Sequence, residues 1–193
     1  MVERIKNILL SPKSEWLKID AETTNPQQLL MSYVLPLAAI GAIGYVIQGL
    51  LFPIDAVLNS FLMQAIVSLL ATTISYYISA YIIDMLAPTF KSEKDLGKSA
   101  QLVGYSRTPS FIAALLTFIP VIGSMLGIAG MVYGVYLMYL GLEPLKKTPE
   151  DQKVVYLIVA FLVIITLYMF IAFILGAILL SSFAVTSSVG MFN

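Results

Sequence analysis

The residues with chemistry to offer are few, and they collect at the ends of long apolar runs. Gly104, Tyr105, Ser106, Arg107, Thr108 and Pro109 stand together at the entrance to one such run. Asp84 lies near the end of the run before it, and Glu143 closes the run after it. An arginine drawn towards hydrocarbon costs about 2.5–3.5 kcal/mol even on the mild insertion scale. Arg107 therefore needs a counter-charge, and these two acids sit at matching depth. The expectation is a polar cluster of Asp84, Gly104, Tyr105, Ser106, Arg107, Pro109 and Glu143, with Arg107 paired to one or both carboxylates. The competing reading has Arg107 stretching to lipid phosphate while the acids stay solvated. Even as a cluster, this is a structural clasp before it is a catalytic or transport centre.

Catalysis has little else to draw on. The chain has no histidine and no cysteine, so the commonest general base, thiolate nucleophiles and the usual transition-metal ligands are missing. No lysine, arginine or acid falls mid-span in an apolar run, which counts against a proton-coupled or charged-ion pathway. No catalytic residue, metal site or cofactor is expected. With 11 Lys/Arg against 11 Asp/Glu, there is no basic excess to attract nucleic acid.

The elements that must position these residues are helices in a bilayer. Of 193 residues 59% are hydrophobic and 11% charged, against about a quarter charged in a soluble domain. A helix needs about 20 apolar residues to cross the hydrocarbon. The runs predict an all-α, polytopic membrane domain over 29–193, with five transmembrane helices near 29–52, 57–86, 109–119, 121–142 and 154–184. A cytoplasmic arm, 1–28, precedes it. Arg4, Lys6, Lys13 and Lys18 fall before the first helix, Lys91, Lys94, Lys98 and Arg107 between the second and third, and Lys146, Lys147 and Lys153 between the fourth and fifth. The alternate loops have none. Because cytoplasmic loops retain Lys and Arg, the amino terminus is expected inside and the carboxyl terminus outside.

The arm is amphipathic. Val2, Ile5, Ile8 and Leu9 share a helical face, Ser11-Pro12 restarts a helix, and Trp16 and Ile19 supply its apolar side. It is expected to anchor at the interface and pack on the bundle's cytoplasmic end. Ser92 with Asp95 resembles a capping box, predicting a second surface helix over 93–103.

The third and fourth helices are short of length. Starting at Thr108-Pro109, a helix-start pair, the hairpin to Leu142 has 34 residues, or about 51 Å of helix before any turn. Two crossings need about 60 Å. A thinned bilayer, a re-entrant hairpin or a sunken entrance would each reconcile this. The expected device is an ordered, partly buried elbow over 104–108, with Gly104 at the bend. In the fourth helix Gly123, Gly127, Gly130 and Gly134 repeat four apart in pairs, which permits close helix approach. Packing within the bundle is the plain reading and a homodimer face the sharper one. Gln48, Gln64, Tyr77, Tyr81, Tyr133 and Tyr136 could line a polar crevice, although buried hydroxyls more often satisfy one another. Pro36 should kink or unwind the first helix.

"LLSPKSEW" (Leu9 to Trp16), "GYSRTP" (Gly104 to Pro109) and "IPVIGSMLGIAGMVYGVYLMYLGLE" (Ile119 to Glu143) resemble the bacterial form of the Yip family. These are five-helix membrane proteins named for interaction with Ypt/Rab GTPases. The resemblance implies five spans, a cytoplasmic amino terminus, a short outer tail and a scaffold or adaptor role in membrane organisation. The Asp-Leu-Tyr-Gly-Pro signature of eukaryotic members is missing and the arm is short, so the GTPase partner is not carried over. The expected function is a non-enzymatic scaffold in a bacterial cytoplasmic membrane. Its partners would be the lipid bilayer, a second copy in a homodimer or a cytoplasmic protein. The alternative is a small transporter or channel around the crevice.

Overall fold

Proline and side-chain caps decide where these apolar runs break. The computed structural model describes residues 1–51, 55–167 and 169–170, and among them every regular element is helical. Helices α1 (Val2–Leu10) and α2 (Pro12–Asp20) form the arm. Helix α3 (Pro26–Leu51) starts at Asn25, whose Oδ1 accepts the Gln27 N–H at 2.9 Å. A wide π-turn, Leu30–Val34, interrupts α3 just before Pro36. The ring has no N–H to give the carbonyl one turn back, so the ladder loosens there. Helix α4 (Asp55–Leu86) ends in a 3-10 turn, Ala87–Phe90. Then come α5 (Leu96–Ser106), α6 (Thr108–Ala114), α7 (Pro120–Lys146) and α8, residues 150–167.

Among the described residues, three segments are long and apolar enough to cross a membrane: Pro26–Leu51, Leu62–Phe90 and Val121–Lys146. The last expected span, 154–184, lies partly outside the described residues.

The third run departs from expectation. Asp95, not Ser92, caps α5, its Oδ1 accepting the Lys98 N–H at 2.9 Å. The helix passes straight through Gly104, and its residues Ser99 to Ser106 are all buried. It is no surface helix. Gly104 is not a bend but a close contact, since a Cβ there would meet Val34 at 3.1 Å and Leu29 at 3.3 Å. The chain breaks only at Arg107, after which α6 adds seven residues and a turn leads to Pro120. Helices α5 and α6 together run antiparallel to α7. A Cβ built on Gly141 would strike Leu102, one on Gly134 the Ser106 carbonyl, one on Gly130 the Pro109 carbonyl, and one on Gly123 the Leu116 carbonyl. The arm thus continues upstream of Thr108, its 11 and seven residues making about 28 Å of helix.

Small residues hold this arm on both sides. On α7, Gly123, Gly130 and Gly134 bring backbone against it, with virtual Cβ distances of 2.5, 2.9 and 2.7 Å. On α3, Gly41 and Gly44 do the same against the Phe111 and Ala114 carbonyls, at 2.9 and 2.5 Å. Gly127 corrects the expectation of a four-glycine stripe: nothing lies within 4 Å of its virtual Cβ. At the other end of α7 the arm helices dock through Ile8, Trp16 and Ile19, all fully buried in the same core as Leu102 and Leu137.

Candidate functional site

Large exposed apolar side chains run along α7 from Val121 to Tyr136, about 22 Å of helix. From Leu137 to Lys146 the helix is sheathed, leaving only Glu143 exposed. Two polar centres follow from this division, one inside the sheath and one at its edge.

The first is a buried clasp. Lys146 is fully buried, and its ammonium donates to Asp84 Oδ1 at 3.1 Å, the Ser99 hydroxyl at 2.8 Å and the Asp95 carbonyl at 3.1 Å. All three donors of the amine are used. Ser99 in turn donates towards Asp84 at 3.2 Å. The loops around it are stitched by Glu93 N–H to the Lys146 carbonyl and by Ser92 with Thr148, both hydroxyls within 2.9 Å. Asp84 therefore serves a lysine, and the expected Arg107–Asp84 pair gives way to Lys146–Asp84. The reason is that α7 continues through Pro144, delivering Lys146 to a place that a shorter helix could not reach.

Glu143 also takes another cation. It faces Lys153 at 2.6 Å, and Lys153 is shared with Glu150 while lying 5.4 Å from the Tyr139 ring centre. Burial alone would lower the Lys153 pKa, but its hydrogen bonds to Glu143 and Glu150 and their charges outweigh it and the value rises. Both carboxylates are largely exposed, so this pair contributes little.

A third set of pairs joins the arm to the bundle. Arg4 Nη1 meets Glu15 Oε1 at 2.7 Å, Nη2 meets Glu22, and the guanidinium lies 5.5 Å from the Tyr105 ring centre. Asp20 receives Lys98 of α5 at 3.2 Å and Lys147, just past α7, at 3.0 Å. Burial would raise the Asp20 pKa, but the hydrogen bonds and charges of the two lysines lower it below the ordinary aspartate value. Three basic segments far apart in sequence are thus tied together at one end of the molecule.

The second centre is the joint at Arg107. Its guanidinium donates to the hydroxyls of Ser75 and, at 3.2 Å, Ser79 on α4. Thr108 does not cap α6; its hydroxyl donates to the Tyr105 carbonyl at 2.7 Å and lies 2.9 Å from the Tyr33 hydroxyl. The Tyr105 ring packs edge-on against Tyr33 at 4.7 Å and Trp16 at 6.3 Å. Pro109 is buried in the first turn of α6. Ser106 is 2% exposed, and its hydroxyl has no hydrogen-bond partner. Beside it opens a cavity of about 330 Å³, walled by Arg107, Ser79, Ser110, Phe111, Met131 and Phe161 among others.

The expected crevice residues do not converge on that cavity. Gln64, Tyr81 and Tyr136 are exposed and Gln48 half-buried. Tyr77 stacks edge-on with Tyr76, and Tyr133 donates to the Leu9 carbonyl of the arm at 2.7 Å. Lys146 and Ser99 are the residues that reading the sequence overlooks. The available signal was Lys146 itself, one helical turn beyond an apolar run whose end was placed at Leu142.

A family model, the Yip1 domain, matches residues 6–174. No curated protein and no solved structure matches the chain.

Proposed function

Given that the chain belongs to the Yip1 domain family, we propose that it is a non-enzymatic membrane scaffold or adaptor whose polar end docks a partner protein. Membership and three spanning-length apolar helices make it a membrane protein. One observation carries the docking reading. Asp20 of α2 gathers Lys98 and Lys147, while Arg4 gathers Glu15 and Glu22. The arm is thereby fixed onto α5 and α7 as part of a platform. Beside it lies a groove of about 500 Å³ lined by Lys13, Leu17, Leu140, Glu143, Lys147 and Lys153. Its mixed charges and exposed Leu17 fit a protein surface. The transporter reading draws no support from the crevice residues, which point to separate places.

In this reading the chain makes five crossings, the third being α6 and the turn that follows it, with the platform inside the cell and the carboxyl terminus outside. The gathering of basic segments at one end supports that orientation. The absence of native cysteine makes it directly testable. In intact cells a membrane-impermeant maleimide should label Ser188→Cys and leave Ser14→Cys unlabelled until the membrane is opened; the opposite pattern overturns the orientation. For docking, a photo-crosslinker at Leu17 should yield a discrete protein adduct that Asp20→Lys abolishes, whereas one at Met125 should yield lipid adducts only. Equal protein capture at both positions would contradict the platform.

A further inference from the structure

We propose that the tip of the arm, where α1 meets α2, is seated in the leaflet on the platform side and binds anionic phospholipid, with Leu10 among acyl chains and Lys6 and Lys13 on phosphates. Only the membrane placement of α7 is needed for this, and the docking reading is not. The first support is depth along α7. The Leu9 carbonyl accepts the Tyr133 hydroxyl at 2.7 Å, and Leu9 shares a groove of about 320 Å³ with Leu126 and Gly130. Those positions fall inside the run of exposed apolar side chains that ends at Tyr136. Further along α2, Trp16 lies against Gly141, and Asp20 meets Lys147. From Tyr133 to Lys147 is about 21 Å of helix, so α2 climbs steeply beside α7 and does not lie in the interface plane. Helix α1 climbs back with it, since Arg4 reaches Glu15 and, past the end of α2, Glu22. The arm is a hairpin standing on its tip.

The second support is what the tip exposes. The apolar face of the arm is spent on the bundle, with Ile8, Trp16 and Ile19 fully buried. Leu10 is left 72% exposed at the tip, and at that depth its neighbours are acyl chains. Lys6 stands four residues before it and Lys13 three after. Both are exposed and, among the described residues, have no ion pair or hydrogen bond, whereas Arg4, Glu15, Lys18, Asp20 and Glu22 are all paired. The unpaired Glu3 lies further from the tip than Lys6. The two lysines start about 4–6 Å above Leu10, and the apolar run of α7 ends about 4.5 Å above Tyr133. Their long stems carry the ammoniums on to the phosphate level. Two free cations flanking a leucine in hydrocarbon fit an anionic leaflet better than a zwitterionic one, since each lysine at such a surface favours binding roughly fivefold.

The test uses the full chain, which has no native cysteine, in phosphatidylcholine nanodiscs. An environment-sensitive fluorophore is attached to Leu10→Cys or, higher on α2, to Leu17→Cys. Lys13 also borders the platform groove, so lipid preference is read at Leu10, outside it. Doxyl-labelled phosphatidylglycerol or phosphatidylcholine is added at equal, low mole fraction as the quencher. The label at Leu10 should be shielded from aqueous acrylamide and quenched by doxyl lipid at least about threefold more than the label at Leu17. At Leu10, phosphatidylglycerol should quench at least about threefold better than phosphatidylcholine, the scale of one lysine at an anionic surface. Lys6→Gln combined with Lys13→Gln should bring the two lipids level, with the unfolding temperature unchanged. Equal acrylamide access at the two positions overturns the insertion. Equal quenching by the two lipids in the parent, or a preference that survives the double substitution, overturns the anionic site.

Discussion

Two cations of this bundle, the buried Lys146 and the half-buried Arg107, live in opposite circumstances. Lys146 sits on a carboxylate with every donor filled. Arg107 donates to the hydroxyls of Ser75 and Ser79 beside an open space. A closed, fully buried network fixes geometry, whereas a half-buried cation at a cavity wall is less costly to remove. Replacing Lys146 with methionine strands Asp84 in the interior and should cost about 3–5 kcal/mol of stability in detergent unfolding. Replacing Arg107 with glutamine should cost distinctly less. A loss at Arg107 equal to that at Lys146 would break the contrast.

The glycine pairs sharpen the same division between filled and open space. A methyl on Gly130 must push into the Pro109 carbonyl, whereas one on Gly127 meets nothing within 4 Å. Gly130→Ala should therefore destabilise by about 1–3 kcal/mol through overpacking. Gly127→Ala should be neutral or stabilising by up to about 1 kcal/mol from helix propensity. Thermal unfolding of the two variants side by side decides it.

The shape of the helices was legible in the sequence because apolar length, proline and glycine are local signals. Pro36 marked the wide turn, and Pro120 marked the start of α7. What stayed hidden is non-local. The Ser92–Asp95 capping pair pointed to a surface helix, yet α5 is buried and the polar side chains Lys98, Ser99 and Gln101 find partners in distant segments. Lys98 binds Asp20, and Gln101 donates to Thr24 Oγ1 at 3.0 Å. Nothing within α5 announces that Lys98, Ser99 and the Gln101 amide N–H find partners there. Depth counting also failed at Arg107, because it measured from Leu142 and overlooked the extra turn that carries Lys146 to Asp84.

The smallest expected effect is on pH. Asp20 has a lowered pKa in the folded chain, so its contribution is present above the unfolded value and fades as pH falls through the folded one. Being partly solvated, it should contribute less than about 1 kcal/mol. The unfolding temperature should decline more steeply below pH 4 in the parent than in Asp20→Asn; parallel curves would show that the platform pairs are energetically idle.

The contrast between the cations is tested most directly by two double-mutant cycles sharing Asp84→Asn, one with Lys146→Met and one with Arg107→Gln. The account predicts a coupling of at least about 2 kcal/mol with Lys146 and additivity with Arg107 to within about 0.5 kcal/mol. Strong coupling of Asp84 to Arg107, with Lys146 additive, would contradict it.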